Sequence, residues 1–213
     1  YRTLMAADSA VMVIDAGKGV EAQTIKLFKV CVMRKIPIFT FINKLDREAR
    51  DPFELLDDIE SVLGIRTCPV NWPIGSGKNF KGVYDRQTKQ INKFTAANAG
   101  MKEVDTQLIE LDDSKLDDYI GFDYADILRN DIELLDGASD ELDMDKVSVG
   151  ELSPVFFGSA LTNFGVQTFL EHFLRMTSSP LKRKTHEGYV DPMKDEFFSA
   201  FVFKIQANMN KAH

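Results

Sequence analysis

The chain has 213 residues, 44% of them hydrophobic and 28% charged, and a net charge of −7 at pH 7, so it can bury a core and is not an intrinsically disordered segment. Its apolar runs are far shorter than the roughly 20 residues that a membrane-spanning helix requires, and no charged-then-apolar leader opens the sequence. Because its two cysteines, Cys31 and Cys68, are far apart and lack the spacing of metal ligands, the composition indicates a reduced, cytoplasmic protein without membrane contact.

The first third of the chain alternates between strand and helix patterns, which indicates a doubly wound parallel sheet covered by helices. The first full helix carries Ile25, Phe28 and Val32 on one stripe. The predicted elements are the end of a helix at Tyr1–Ala7, a buried strand at Ser9–Asp15, a helix at Glu21–Met33, a buried strand at Ile36–Ile42, and a helix from Pro52 to Gly64 with Asp51 as its N-cap.

The tetrapeptide Asn43-Lys44-Leu45-Asp46 follows the second buried strand directly. Ligands of open α/β sheets bind beyond the carboxyl ends of the strands, which is where this tetrapeptide falls. The Asp46 carboxylate can accept the two adjacent donors of guanine, N1–H and the 2-amino group, while the Lys44 stem covers the ring. The pattern therefore predicts guanine recognition. The alternative is that Asn43 and Asp46 only cap a turn.

The alternating pattern breaks after Cys68. Prolines and glycines predict a loop-rich segment, followed by a hairpin around Asp85–Thr88. Between Glu103 and Asp145 there are 16 acidic residues and only two basic ones, a net charge of −14. A helix over about Tyr124–Leu135 falls inside this stretch. Residues 68–150 are therefore predicted to form an acidic subdomain inserted into the α/β domain.

The α/β pattern resumes with a predicted strand at Val155–Phe157 and a helix whose stripe includes Phe169, Leu170 and Phe173. Between them stand Ser159, Ala160 and Leu161. The Ser-Ala step has small side chains, so backbone N–H groups can approach an acceptor such as guanine O6. If the strand of Phe157 lies beside that of Ile42, both strand exits meet over one purine.

The C-terminal part is predicted to leave this domain. A charged linker covers residues 181–196, and Phe197–Ile205 has the pattern of a strand in a separate domain. Because the sequence opens at Tyr1 without a methionine, we expect it to be a piece of a longer protein.

Asn43–Asp46 and Ser159–Leu161 resemble the two base-reading motifs of GTPases, and Asn43–Arg47 resembles the translational GTPases in particular. Four longer runs resemble the bacterial class II peptide chain release factors: Asn43–Leu56, Trp72–Lys78, Pro154–Leu161 and Phe201–Asn208. The resemblance covers nearly the whole chain and is weakest in the acidic segment.

The resemblance implies an incomplete P-loop-GTPase-type fold, with a doubly wound, mainly parallel sheet formed by residues 1–67 and 151–180. The inserted acidic α+β subdomain occupies 68–150, and 197–213 begin a β-barrel domain. It also implies a GTPase that removes class I release factors from the ribosome after termination. GTP or GDP would bind through Asn43, Lys44, Asp46 and Ser159–Leu161, and Mg²⁺ would bind only in the intact protein.

The family's phosphate-binding loop, first switch and Asp-x-x-Gly segment are expected before Tyr1. Gly75-Ser-Gly-Lys78 is no substitute, because Trp72 stands where a glycine is required and Asn79 where Ser or Thr is required. A glycine turn is the better interpretation. The chain alone is therefore predicted to recognise guanine and to hydrolyse nothing, and it has no predicted catalytic or metal-binding residue.

The expected partners are the ribosome, class I release factors and, through the acidic insertion, a ribosomal stalk protein. Self-association is also expected, through an apolar strand edge at Val11–Ile14. Two other functions stay open. One is an elongation-factor-like translocase, which the Arg50–Pro52 and Trp72-Pro73 runs disfavour, and the other is a ribosome-interaction module that uses no nucleotide.

Four further features have modest interpretations. Asp112–Asp118 lacks the register of a calcium loop and is predicted to be a solvated acidic face. His172 is predicted to be a partly buried or surface histidine, and Trp72 a packing anchor. Asp15, at a strand exit, either caps its own turn or approaches the ligand site.

Overall fold

A computed structural model of the chain describes residues 3–94 and 105–205. Its centre is a four-stranded parallel sheet, so the predicted parallel sheet is confirmed. From one edge to the other its strands are β1 (Ala10–Asp15), β2 (Ile38–Asn43), β8 (Leu152–Phe157) and β3 (Arg66–Pro69). The sequence pattern did not predict β3, which is only four residues long and ends on a proline.

Helices cover both faces of this sheet. They are α1 (Ala22–Met33) and α2 (Pro52–Leu63) on one face, and α5 (Met144–Ser148) and α6 (Val166–Met176) on the other. Strand β2 alternates between the two cores: Ile38 and Ile42 pack with the first pair of helices, and Phe39 and Phe41 with the second. Asp51 accepts hydrogen bonds from the first backbone N–H groups of α2 and Gly64 ends that helix, both as predicted.

The predicted apolar stripes of α1 and α6 are only partly buried. Phe28 and Phe169 are buried, but Val32 and Leu170 are each 48% exposed. In α1 the buried side chains are Phe28, Val30 and Cys31, so the buried face is centred away from Val32. Phe53 and Leu63 of α2 are partly buried and pack against the core.

Strand β1 is buried less completely than its apolar sequence predicts. Ile14 is 1% exposed, but Val11 and Val13 are 41% and 56% exposed, because β1 is an outer strand and no described element covers their face. The segment before it, Thr3–Ala6, is a 3₁₀ turn, where the sequence predicts the end of a helix.

A second, antiparallel sheet follows β3. Its strands, in spatial order, are β4 (Asn71–Ile74), β5 (Gly82–Asp85), β6 (Gln90–Lys93) and β7 (Asp105–Leu108). The predicted hairpin is the β5–β6 connection, where one oxygen of Asp85 accepts hydrogen bonds from the N–H groups of Gln87 and Thr88. The segment that the sequence marks as loop-rich therefore contains β4 and β5, joined by a glycine turn.

The acidic segment packs onto this second sheet through two helices, α3 (Lys115–Ile120) and α4 (Phe122–Ala138). Helix α4 confirms the helix predicted near Tyr124–Leu135. Its apolar side chains Leu128, Ile132 and Leu135 belong to the same core as α1 and α2. The acidic segment is thus amphipathic, and the domain limits 1–67, 68–150 and 151–180 stay a prediction.

Trp72 is the packing anchor that its sequence context predicts. It is fully buried, with its ring centroid 4.7 Å from that of Phe53 and 5.4 Å from that of Phe157. Its indole N–H donates to Asp131 of α4 at 2.8 Å. One side chain therefore joins α2, β8 and the acidic segment.

The structure has no strand over Phe197–Ile205, and the β-barrel domain expected to begin there stays a prediction. A two-stranded ribbon of β9 (Arg183–Lys184) and β10 (Tyr189–Val190) comes first, and residues 197–205 are irregular and exposed. A strand needs a partner for its backbone N–H and C=O groups, and no described strand lies beside this segment. Residues 206–213 lie outside the described residues. Within the described part of the chain, no helix has both the length and the apolar character to cross a lipid bilayer.

His172 is buried, with 7% exposure, so the prediction of a partly buried or surface position is too modest. Its Nε2 lies 2.7 Å from the Asp85 carboxylate, which is itself 2% exposed. Burial would raise the pKa of the Asp85 carboxyl, but the hydrogen bonds with His172 and the backbone N–H of Thr88 hold that pKa below its usual value. The pair therefore joins α6 to the β5–β6 hairpin.

We expect His172→Ala to lower the free energy of unfolding by about 2–4 kcal/mol, because it leaves a buried carboxylate oxygen without its partner. Denaturant unfolding at pH 7 measures this loss. Because the folded pKa of Asp85 lies below the unfolded one, its contribution is present at neutral pH and is lost as the pH falls through the folded pKa. The exposed His186→Ala is the matched control; equal stability of the two variants would contradict the role of the pair.

Candidate functional site

The two predicted motifs lie side by side at the carboxyl edge of the parallel sheet. Strands β2 and β8 are neighbours, with Ile42 opposite Phe157, which confirms the predicted adjacency. Beyond the strands the backbones stay joined: Gly158 N donates to Ile42 O at 3.0 Å, and Leu45 N donates to Gly158 O at 3.2 Å. The loop 43–46 and the loop 158–161 therefore form one unit.

Asn43 joins the loops through its side chain. Its Oδ1 accepts hydrogen bonds from the N–H groups of Lys44 and Ala160, each at 2.8 Å. Because both neighbours are donors, Oδ1 must face them, and the amide NH₂ points the other way. No described residue accepts a hydrogen bond from that NH₂, so it can donate to a ligand.

Asp46 is oriented by Ser159. The Ser159 hydroxyl is fully buried and donates to Asp46 Oδ1 at 2.5 Å. The same hydroxyl oxygen accepts from Thr162 N at 3.4 Å. The other carboxylate oxygen, Oδ2, lies 3.9 Å from Nε of Arg47 and accepts no hydrogen bond from a described residue. Asp46 therefore keeps free acceptor capacity toward solvent while its carboxylate plane is held.

The backbone N–H groups of Ala160 and Leu161 differ in whether they are available to a ligand. The Ala160 N–H is used by Asn43 and is not free for a ligand. The Leu161 N–H has no acceptor among the described residues, and the Leu161 side chain is 75% exposed. The available backbone donor of this loop is therefore that of Leu161.

Lys44 has a backbone φ of +75° and its ammonium lies 2.6 Å from Oδ2 of Asp15. Asp15 Oδ1 accepts from Gly17 N at 2.9 Å. The hydrogen bond from Lys44 is the largest influence on the pKa of the Asp15 carboxyl, and it lowers that pKa against the opposing effect of burial. Asp15 thus caps its own turn and contacts Lys44 of the predicted guanine motif, while its approach to a ligand stays a prediction.

Asn71 is a site-positioning residue that the sequence analysis missed. It is 1% exposed, its Oδ1 accepts from Phe157 N at 2.7 Å, and its amide nitrogen donates to Phe157 O at 3.1 Å. It satisfies the last residue of β8 where the pairing with β3 has ended at Pro69. The only sequence signal is one amide in the apolar run from Cys68 to Ile74.

The run Gly75–Lys78 is a glycine turn, as the sequence predicts. Gly75 and Gly77 have φ values of +72° and +57°, and Gly77 N donates to Leu45 O at 2.9 Å. This hydrogen bond joins the glycine turn to the loop 43–46. Among the described residues, no group of three or more His, Cys, Asp or Glu side chains is arranged to hold a metal ion.

A family model and several known proteins match most or all of the chain. The model of the elongation factor Tu GTP-binding domain matches residues 1–179. Peptide chain release factor 3 of Symbiobacterium thermophilum is 58% identical over all 213 residues, which span 40% of that protein. The proteins of the same name from Gloeothece citriformis and Microcystis aeruginosa are each 53% identical over the whole chain, which spans 39% of each.

A solved crystal structure of a Thermus thermophilus protein resembles the chain with a TM-score of 0.59 and 21% identity. The match covers 84% of this chain and 28% of that one. At this identity the likeness supports the fold alone.

We expect Asn71→Ala to lower the free energy of unfolding by about 2–4 kcal/mol, because it leaves the buried N–H and C=O of Phe157 without partners. Chemical denaturation measures the change. Asn130→Ala is the control, since Asn130 is exposed and its amide donates a hydrogen bond to the exposed Asp126 at 3.4 Å; its effect should stay within about 0.5 kcal/mol. If Asn71→Ala were no worse than this control, the bridge to Phe157 would not hold the exit of β8.

Proposed function

Because the chain belongs to the family of elongation factor Tu GTP-binding domains, we propose that it forms the guanine-recognising part of a translational GTPase. The observation that carries the proposal is the Ser159–Asp46 hydrogen bond of 2.5 Å, which joins the two motifs and leaves Asp46 Oδ2 without a hydrogen-bond donor among the described residues. A ligand at this edge meets acceptors from Asp46 and donors from the Asn43 NH₂ and the Leu161 N–H.

This pattern of donors and acceptors fits guanine and not adenine. In the proposed complex Asp46 accepts from guanine N1–H and the 2-amino group, and Asn43 and Leu161 donate to the acceptors N7 and O6. Adenine would present its 6-amino donor to these donors and its N1 acceptor to the carboxylate, so buried groups would be left unpaired. Ala160 shapes the wall of the O6 pocket, and the Lys44 stem covers the ring.

GTP hydrolysis is proposed for a longer protein, since the chain spans 40% of the length of the Symbiobacterium relative. There, Mg²⁺ and the phosphate-binding residues would supply the charge stabilisation of phosphoryl transfer. The residues described here would contribute by holding the nucleotide through its base. Base contacts alone should give this chain an affinity near millimolar, about −4 kcal/mol.

The names of the relatives support a role in translation termination. We infer that the intact protein acts on the ribosome in the cytoplasm and promotes the departure of class I release factors. An elongation-factor-like translocase is the alternative within the same class. The two are separated by assaying the intact protein for release-factor dissociation and for translocation.

The acidic segment is proposed to bind a basic protein, with a ribosomal stalk protein as the candidate. Helix α4 exposes Asp123, Asp126 and Glu133, beside the apolar Ile127 and Leu134, which are 55% and 59% exposed. A negative surface with apolar anchors complements a basic protein and repels RNA phosphates. The exposed face of β1 at Val11 and Val13 is likewise proposed as a surface for self-association.

Asp46→Asn tests the base site directly. The amide keeps one acceptor for Ser159 and turns its NH₂ toward the guanine 2-amino group, so donor faces donor. The expected loss of about 3–5 kcal/mol is as large as the whole binding free energy of about −4 kcal/mol, so guanosine binding to the variant should fall below detection. Xanthine has an oxygen in place of that amine, so the variant should prefer xanthosine, which a titration followed by NMR with both nucleosides measures.

Asp57→Asn is the matched control for this substitution, because Asp57 is exposed on α2. It should bind guanosine as the unmodified chain does. If Asp46→Asn still prefers guanosine to xanthosine, Asp46 does not contact the base and the proposed site is wrong.

The acidic face is tested by neutralising Asp123, Asp126 and Glu133 to Asn, Asn and Gln. Deleting the segment is unsuitable, because Leu128, Ile132 and Leu135 are part of the core. We expect the association rate with purified ribosomes to fall several-fold at low salt and to become less salt-dependent, with guanosine affinity unchanged. Stopped-flow binding at several salt concentrations measures both.

The control removes three exposed acids outside the segment, through Asp57→Asn, Glu171→Gln and Glu187→Gln. It changes the net charge equally and should leave the association rate nearly unaltered. If both triple variants slow association equally, total charge and not the α4 face decides the rate. If guanosine affinity falls in the α4 variant, the face supports the site and is not an interaction surface.

A further inference from the structure

Asp15 and Lys44 come from different strand exits and meet beside the proposed base site. Asp15 is the last residue of β1 and is paired in register with Asn43, the last residue of β2. The Lys44 ammonium, one residue further on, reaches back across the sheet edge to Asp15 Oδ2 at 2.6 Å. The contact therefore fixes the far end of the Lys44 side chain.

The pair is placed poorly for stabilising the fold. The side chains of Lys44 and Asp15 are 43% and 16% exposed, and ion pairs open to solvent contribute little to stability. A free lysine side chain, in contrast, samples many rotamers, and ordering it on binding opposes affinity. The contact between Nζ and Asp15 restricts the Lys44 stem before the ligand arrives. The contact therefore favours ligand binding by ordering the Lys44 side chain in advance.

Asp15 is itself rigidly held. Its Oδ1 accepts from Gly17 N, and the backbone on either side is bonded, with Ala16 N donating to Asn43 O and Arg50 N donating to Ala16 O, all at 2.9 Å. The turn ends at Val20, whose N–H donates to Asp58 of α2 at 2.8 Å. Hydrogen bonds to helix α2 and strand β2 therefore hold the turn of Asp15 in place, and the Asp15 carboxylate in turn holds the ammonium of Lys44.

The charges around Asp15 favour this arrangement. Lys44 is its nearest cation and Lys18, in the same turn, is a more distant one, and both lower the pKa of the Asp15 carboxyl. Asp46, the other acid of the motif, makes no ion pair with Lys44; its carboxylate is held by Ser159 and lies near Arg47. Asp15 therefore pairs with Lys44, while Asp46 is left to the proposed contact with the base.

We propose that Asp15 is a positioning residue for guanine recognition, which holds Lys44 so that its apolar stem lies over the face of the base. The inference rests on the proposed function, since it assigns Asp15 a task in that site. Asp15 acts through Lys44 and does not touch the base.

A double-mutant cycle tests the proposal in the whole chain with guanosine as the probe. Asp15→Asn keeps an acceptor for Gly17 N but removes the charge, and Lys44→Met keeps the length of the stem but removes the ammonium. We expect Asp15→Asn alone to weaken guanosine binding by about threefold to tenfold, the range for ordering one long side chain. In the Lys44→Met background the same substitution should have no further effect.

A spectroscopic measurement separates positioning from general structure. When a base stacks on the Lys44 stem, its ring current shifts the NMR signals of the Lys44 methylene groups upfield. This shift should shrink in Asp15→Asn at saturating guanosine, while the unfolding midpoint stays unchanged. Lys29→Met, at an exposed position of α1, is the control and should change neither the affinity nor the shift.

Several results would overturn the inference. Unchanged guanosine affinity in Asp15→Asn, or an equal loss in both backgrounds, shows that Asp15 does not act through Lys44. If guanosine fails to bind the unmodified chain, or if Asp46→Asn has no effect, the proposed function fails as well. If Asp46→Asn loses guanosine binding as expected but Asp15→Asn has no effect, the proposed function stands and only the positioning role of Asp15 is wrong.

Discussion

The backbone of Phe157 is the point on which the site depends, because the amide of Asn71 satisfies both its N–H and its C=O inside the core. Asn71 is paired across the antiparallel ladder with Asp85, and Asp85 is bonded to His172 of α6. Helix α6 is the element that follows the loop 158–161. That loop is therefore held at its entrance by Asn71 and at its exit by His172, and both residues are fastened to the same pair of strands.

The acidic segment shares one hydrophobic core with the helices and strands of the parallel sheet. Trp72 packs against Phe157 and donates to Asp131, which lies in the acidic helix α4. Burial raises the pKa of the Asp131 carboxyl, although the Trp72 N–H opposes that shift. The segment carries its negative charge on the outer face of α4 and contributes apolar side chains to the inner face, so charge and support are separated on one helix.

Much of this arrangement follows from local sequence patterns. Apolar runs mark β2 and β8, the Asp51-Pro52 cap marks α2, and polar residues after the strands mark the site. The missed features are those that depend on distant partners. Strand β3 is too short to show a period, and Asn71 meets Phe157 from 86 residues away. Residues 197–205 form no strand for the same reason, because a strand needs a neighbouring strand to pair with its backbone and the apolar run alone does not supply one.

A capped turn and the proposed ligand site at Asn43 and Asp46 do not exclude each other. Each side chain has one atom bonded to the protein and another facing outward. Asn43 Oδ1 serves the N–H groups of Lys44 and Ala160, and Asp46 Oδ1 serves Ser159. The inner bonds that close the turn also determine the direction of the outer atoms, so in the proposed function local stability and base recognition depend on the same contacts. Truncating either side chain would disturb both properties, and only substitutions that keep the inner acceptor while changing the outer atom can separate them.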